Sequence, residues 1–186
     1  MSTSRSPSTV PRIWTVGHST RDWEMFLTLL ADSDIQAIVD VRRFPGSRRY
    51  PWFASETLAQ QLPLAGIDYH WIPQLGGRRR AHPGSPNGAW RNAAFQGYAD
   101  HLASGEFADG LAVACEIASR RRAALMCAEA VWWRCHRRLI ADLLTARGTQ
   151  VCHILDTGKV QPHALHVDAR WDGTHLTYPP AQTDLF

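Results

Sequence analysis

Residues 123–138 read Ala-Ala-Leu-Met-Cys-Ala-Glu-Ala-Val-Trp-Trp-Arg-Cys-His-Arg-Arg: an apolar, strand-like run that leads into a helical pattern. A thiol (Cys127), a carboxylate (Glu129), a second thiol (Cys135), an imidazole (His136) and the guanidiniums of Arg134, Arg137 and Arg138 are thereby set at one strand-to-helix junction. In α/β folds such junctions lie at the carboxyl ends of strands, where backbone N–H groups and the helix dipole favour an anion and ligands bind.

The same alternation recurs on both sides of this stretch. Residues 12–16 read as a first strand, followed by the turn Gly17-His18-Ser19 and by Trp23, Phe26, Leu27 and Leu30 at helical spacing behind a Ser19/Thr20 cap. Residues 35–41 form a second apolar run ending in Asp40-Val41-Arg42, residues 55–62 a short helix that Pro63 limits, and residues 68–72 a third strand. The irregular stretch 73–92, with Gly76-Gly77-Arg78, is expected to form a mobile flap over the site. Helices are expected over 95–102 and 106–119, with Cys115 packed on the apolar side of the second. A further helix spans 135–146, with Leu139, Ile140, Leu143 and Leu144 inward and Gly148 as its stop. A fifth strand covers 150–155, and 160–178 can add a small hairpin. Strands separated by helices imply right-handed crossovers, hence an α/β fold: a mostly parallel sheet of about five strands with helices on both faces, in a single domain. That domain spans 12–178, between a disordered N-terminal tail (1–11) and a C-terminal tail (179–186).

Composition narrows the class. At 186 residues and 45% apolar content the chain can bury one substantial core. No run approaches the roughly 18 apolar residues of a membrane span, and the Ser/Thr/Pro-rich start has no signal-peptide core, which points to a cytoplasmic protein without membrane contact. Its four cysteines are then read as free thiols. The net charge of +3 conceals nineteen arginines against the single Lys159. Arginine's planar fork matches phosphate or carboxylate, although GC-rich coding explains the count equally well. Position says more: Arg42, Arg43, Arg48, Arg49, Arg78, Arg79, Arg80, Arg134, Arg137 and Arg138 lie in or just beyond three strand-following loops.

Thr15-Val-Gly-His-Ser19, Val39-Asp-Val-Arg42 with Pro45 and Ser47-Arg48, Leu75-Gly-Gly77, Cys127-Ala-Glu129 and Cys135-His-Arg137 together resemble the signature blocks of the bacterial domain of unknown function 488 family, in order from about residue 12 to 155. The resemblance implies an α/β domain with these positions as its site, and implies no reaction or cofactor.

In a parallel sheet, His18-Ser19, Asp40-Arg42, Gly76-Gly77 and Cys127-Glu129 all emerge at carboxyl strand ends and converge on one edge. The site residues expected are Cys127, Glu129 and His136 for catalysis, with His18, Ser19, Asp40, Arg42, Ser47, Arg48, Gly76, Gly77, Cys135 and Arg137 for an anionic substrate. Taken singly, Asp40 and Arg42 also fit a structural ion pair and Ser19 a helix cap. Three chemistries fit the set. Cys127 can act as a thiolate nucleophile beside Arg134, Arg137 and a helix N-terminus, with His136 or Glu129 as acid/base. The layout loosely resembles rhodaneses and cysteine phosphatases, but Trp133 fills their arginine position and Arg134 comes one later. Alternatively Cys127, Cys135 and His136, with Cys152 or His153, offer soft metal ligands; with seven residues between the first two and no Cys-x-x-Cys pair, spacing alone assigns no metal. In the third reading the arginines with Trp52, Trp71, Trp90, Trp132 and Trp133 form a noncatalytic nucleic-acid surface. The closing Gln182-Thr-Asp-Leu185-Phe186 is similar to the peptides by which bacterial replication and repair proteins dock on the sliding clamp. The leading expectation is an enzyme acting on a phosphate-bearing substrate, nucleotide or nucleic acid.

Overall fold

The apolar runs of the sequence become the strands of one sheet in the structure, a computed structural model that describes residues 11–46 and 48–181. Strands β1 (Arg12–Gly17), β2 (Ala37–Asp40), β3 (Asp68–Trp71), β4 (Ala123–Cys127), β5 (Gln150–Asp156) and β6 (Lys159–Pro162) are ordered β3-β2-β4-β1-β5-β6. The first five are parallel to their neighbours, and β6 adds an antiparallel edge to β5. The sheet is therefore mostly parallel with six strands, one more than expected. The anticipated C-terminal hairpin divides into β6 and a separate ribbon of β7 (Arg170–Trp171) with β8 (Leu176–Thr177).

Every residue of β2 and β4 is buried, as expected for central strands covered on both faces. Helices α1 (Trp23–Asp32) and α2 (Ser55–Leu64) cover one face, where Phe26, Leu29, Leu30, Leu58 and Leu62 meet Val16, Ile38, Ala124 and Met126. Helices α3 (Ala93–His101), α4 (Gly105–Arg120) and α5 (Arg137–Ala146) cover the other, where Tyr98, Phe107, Leu111, Leu139 and Leu143 meet Ile13, Val39, Leu125 and Cys127. The helix after β1 thus lies on one face and the helix after the adjacent β4 on the other. Their carboxyl ends form the switch point at which ligands of open α/β sheets bind.

Several local expectations are corrected. Asp22, not Ser19 or Thr20, caps α1, because its carboxylate accepts from Met25 N at 2.7 Å, while Ser19 has a left-handed φ of 52°. Pro63 lies inside the last turn of α2, where its missing N–H forfeits one bond without ending the helix. Cys115 is exposed, since α4 turns Phe107, Gly110, Leu111 and Ala114 inward instead. The stretch after β3 is not a free flap. Asp100 accepts from His82 N, Ser85 Oγ and Asn87 Nδ2, and Arg79 pairs with Glu106 at 2.8 Å. Among the described residues no helix is long and apolar enough to cross a membrane.

Candidate active site

β1 and β4 run in register, with Gly17 opposite Cys127, and the ladder continues past their ends through His18 N to Cys127 O and Ser19 N to Ala128 O. The loop after Cys127 consequently lies across the end of β1. Only glycine permits this: a Cβ on Gly17 would stand 1.9 Å from Glu129 O. Side chains alternate along a strand, so Leu125 and Cys127 face the layer of α3 to α5 while Met126 faces α1. α5 begins on that same face, bringing Cys135 and His136 back beside Cys127.

The three side chains form a tight cluster. His136 Nδ1 is 3.6 Å from Cys135 Sγ and 4.0 Å from Cys127 Sγ, and all three atoms lie within 4.8 Å of one another. The other ring nitrogen, Nε2, meets Val41 O at 3.0 Å. A carbonyl only accepts, so Nε2 carries a proton, and Nδ1 is the ring nitrogen turned toward the two sulfurs. Burial pushes the Cys135 thiol up, but a bond from the Cys127 thiol together with His136 and Arg137 outweighs it and holds Cys135 well below the ordinary thiol value. Cys127, hydrogen-bonded to Cys135 and itself buried, is held well above it. The pair loses its first proton readily and its second with difficulty.

Arg137 does not face a ligand. It is 1% exposed, with Nη2 donating to Glu129 O and Nη1 to Thr15 Oγ1 at 3.3 Å. Behind it runs a buried hydrogen-bonded chain that ends on Asp142. His163 Nε2 donates to Asp142 Oδ1 (2.8 Å), His163 Nδ1 and His153 Nε2 share a hydrogen bond (2.9 Å), and His153 Nδ1 shares one with Thr15 Oγ1 (2.7 Å). Tyr178 Oη and His166 N complete Asp142. Burial, with the charges of His163 and Arg137, holds His153 down to about 3, in keeping with its neutral place in this chain. Trp132 stacks on His153 at 4.1 Å.

A second buried group borders the cluster. Asp40 accepts from Arg42 N (3.1 Å), Nε (2.8 Å) and Nη2 (2.5 Å) and from Tyr69 Oη (2.7 Å). Arg42 Nη1 donates to His18 Nε2 at 3.2 Å, which leaves His18 Nδ1–H for Ser19 O at 3.0 Å. Burial and then the Arg42 charge lower His18 to about 4.

Two cavities open over the cluster. One, of about 260 Å³, is lined by Gly77, Arg78, Asn92, Tyr98, Cys127, Glu129, Arg134, Cys135 and His136. The other, of about 210 Å³, shares Gly77, Arg78, Cys127, Glu129 and His136 and adds Arg42, Arg43 and Phe44. Larger clefts of about 410 and 530 Å³ lie toward the amino ends of the strands and contain none of the junction residues. The structure thus brings Cys127, Glu129, Cys135, His136 and Gly77 to one space.

Arg42 reaches the wall with its guanidinium committed to Asp40, so the pair is a structural ion pair and not a free anion clamp. His18, Ser19 and Arg137 hold backbone and neighbours. Gly76 lets the chain pass Arg43, whose Cβ would be 2.6 Å from an added Cβ. Arg48 is exposed and lines neither cavity, while Ser47 and the Gln182, Leu185 and Phe186 of the clamp-type peptide lie outside the described residues. Sequence reasoning missed Tyr98, Asn92 and the Thr15-His153-His163-Asp142 chain, which no spacing announces.

No curated protein and no solved structure matches this chain. A family model described as domain of unknown function DUF488 matches residues 22–144, from the cap of α1 into α5, and with most of its length so matched the chain belongs to that family.

Proposed function

We propose that this chain is an enzyme acting on a phosphate-bearing substrate, nucleotide or nucleic acid, with Cys127, Cys135 and His136 as its reacting centre. The observation that carries this reading is the shared cavity. Two buried thiols and an imidazole nitrogen form its floor, while Arg78 and Arg134 line it without any carboxylate partner among the described residues. Glu129 is exposed at the edge of both cavities, in reach of a bound substrate as acid or base. Arg43, Arg78 and Arg134 hold the anionic group, and the arginines named from sequence position contribute through these three rather than through Arg42 or Arg137.

Of the five tryptophans weighed for a noncatalytic nucleic-acid surface, Trp52, Trp90 and Trp132 are half-buried in the fold, while Trp71 and Trp133 are exposed. Trp52 and Trp71 donate their ring N–H groups to Arg21 O and Arg42 O, Trp90 stacks on Phe95, and Trp132 stacks on His153. The test is turnover of phosphomonoesters, nucleoside triphosphates and oligonucleotides by the wild type and by Cys127→Ser and Cys135→Ser, with circular dichroism to verify folding. Each Ser variant should lose about a hundredfold or more in kcat, and Arg134→Ala should act mainly on KM. Turnover indifferent to both substitutions, or salt-sensitive nucleic-acid binding without turnover that Cys127→Ser leaves intact, contradicts the proposal.

A further inference from the structure

The geometry points to a metal site: Cys127 Sγ, Cys135 Sγ and His136 Nδ1 are placed to hold one zinc-class divalent cation, with the fourth coordination position open to the cavity. This deepens the reading of the same cluster as reacting centre and rests on that reading only for the use made of the cation. Tetrahedral zinc, with Zn–S of about 2.3 Å and Zn–N of about 2.0 Å, requires sulfur and nitrogen about 3.6 Å apart and the sulfurs about 3.8 Å apart. His136 Nδ1 already stands 3.6 Å from Cys135 Sγ and 4.0 Å from Cys127 Sγ, and no pair of the three atoms exceeds 4.8 Å. Shifts of a few tenths of an ångström to about one ångström complete the set.

Three further observations agree. The imidazole is oriented as ligating histidines usually are, its remote N–H held by the backbone carbonyl of Val41, which leaves the near nitrogen as the one turned toward the cation. All three donors line the same cavity, so the ligand set is one face of a tetrahedron with the apex accessible. Space for the cation exists because residue 77 is glycine: a Cβ there would stand 2.9 Å from His136 Nδ1. Two thiolates and one imidazole suit zinc and other borderline-soft cations over magnesium or calcium, and a three-protein-ligand set with an open position is the pattern of catalytic rather than structural zinc. Each thiol gives its proton to solvent on binding, and two thiolates with a divalent cation leave no net charge in the buried cluster.

The experiment uses the full chain, stripped with a chelator under reducing conditions and titrated with Zn²⁺ against a chromophoric competitor, then with Co²⁺. One equivalent should bind. Co²⁺ should give the intense visible bands of tetrahedral coordination and a thiolate-to-metal charge-transfer band. Zinc should protect Cys127 and Cys135, and not Cys115, from alkylation in the wild-type chain, a result that depends on no variant folding. Cys127→Ser, Cys135→Ser and His136→Ala should each weaken binding by about a hundredfold or more, Gly77→Ala should weaken it by about tenfold, and Cys115→Ser should leave it unchanged. Absence of stoichiometric binding, octahedral cobalt spectra, or binding that survives all three ligand substitutions overturns the site. A protein that binds zinc here but turns over no phosphate-bearing substrate refutes the proposed function and not the site; an active, metal-free protein does the reverse.

Discussion

Arg78 carries a conflict between backbone and side chain. Its φ is 60°, in the left-handed region that glycine adopts without cost, yet its guanidinium is one of those lining both cavities. Strained residues of this kind are tolerated where the side chain is needed. Arg78→Gly should therefore raise stability by about 1 kcal/mol in urea denaturation while weakening binding of a phosphate-bearing ligand; a variant that is no more stable, or binds as tightly, contradicts the assignment. Asp40 presents the opposite case. It is fully buried and satisfied by Arg42 and Tyr69, so Asp40→Ala leaves a buried guanidinium unpaired and should cost about 3–5 kcal/mol, whereas removing both charges in Asp40→Ala/Arg42→Met should cost less. A loss below about 1 kcal/mol in the single variant would show that the pair does not hold the end of β2. At this scale the sequence left two roles open. From sequence Asp40 and Arg42 fitted an anion-binding site and a structural ion pair alike, and the geometry shows them spent on one another.

The strand-to-helix junctions decide where the chemistry goes. The junction after β4 was legible because an apolar run ends abruptly in polar, reactive residues, and the structure returns Cys135 and His136 to Cys127 as that reading requires. The junction after β1 was legible as a turn, but the reason for Gly17 was not: it accommodates the neighbouring loop, a contact across more than a hundred residues of sequence. Gly17→Ala should cost about 1–3 kcal/mol or more and displace Glu129 from the cavity, lowering turnover beyond what the stability loss explains. An unaffected variant would mean that the Glu129 loop is free to move without consequence. The cap of α1 and the end of α2 were misread for local reasons. Asp22 lies nearer the first turn than Ser19, and a proline in the last helical turn forfeits a single hydrogen bond.

For the molecule as a whole, doubly wound topology followed from the alternation of runs, while the polar interior did not. Thr15, His153, His163 and Asp142 come from β1, β5, the segment after β6 and α5, so no periodicity links them, yet they form one hydrogen-bonded chain behind Arg137. That interior makes stability depend on pH. His18 and His153 are lowered to about 4 and about 3, and both are neutral in the folded chain at mildly acid pH, whereas in the unfolded chain they take up protons below about 6.5. Their contribution is fully present above that value and is lost as pH falls from it toward about 4 and then 3. Urea denaturation should show stability falling by roughly 2–4 kcal/mol between about pH 7.5 and about pH 5; a flat profile contradicts the buried neutral histidines. The cavity at the switch point is the proposed seat of a phosphate-bearing substrate. Its most direct test is a backbone amide NMR titration of the full chain, first with inorganic phosphate and then with a nucleoside monophosphate. Saturable shifts centred on Gly77, Arg78 and the loop from Cys127 to Cys135 are predicted, tighter for the nucleotide than for phosphate. Binding that maps to another face, or no saturable binding of either ligand, would contradict a phosphate-bearing substrate at this site.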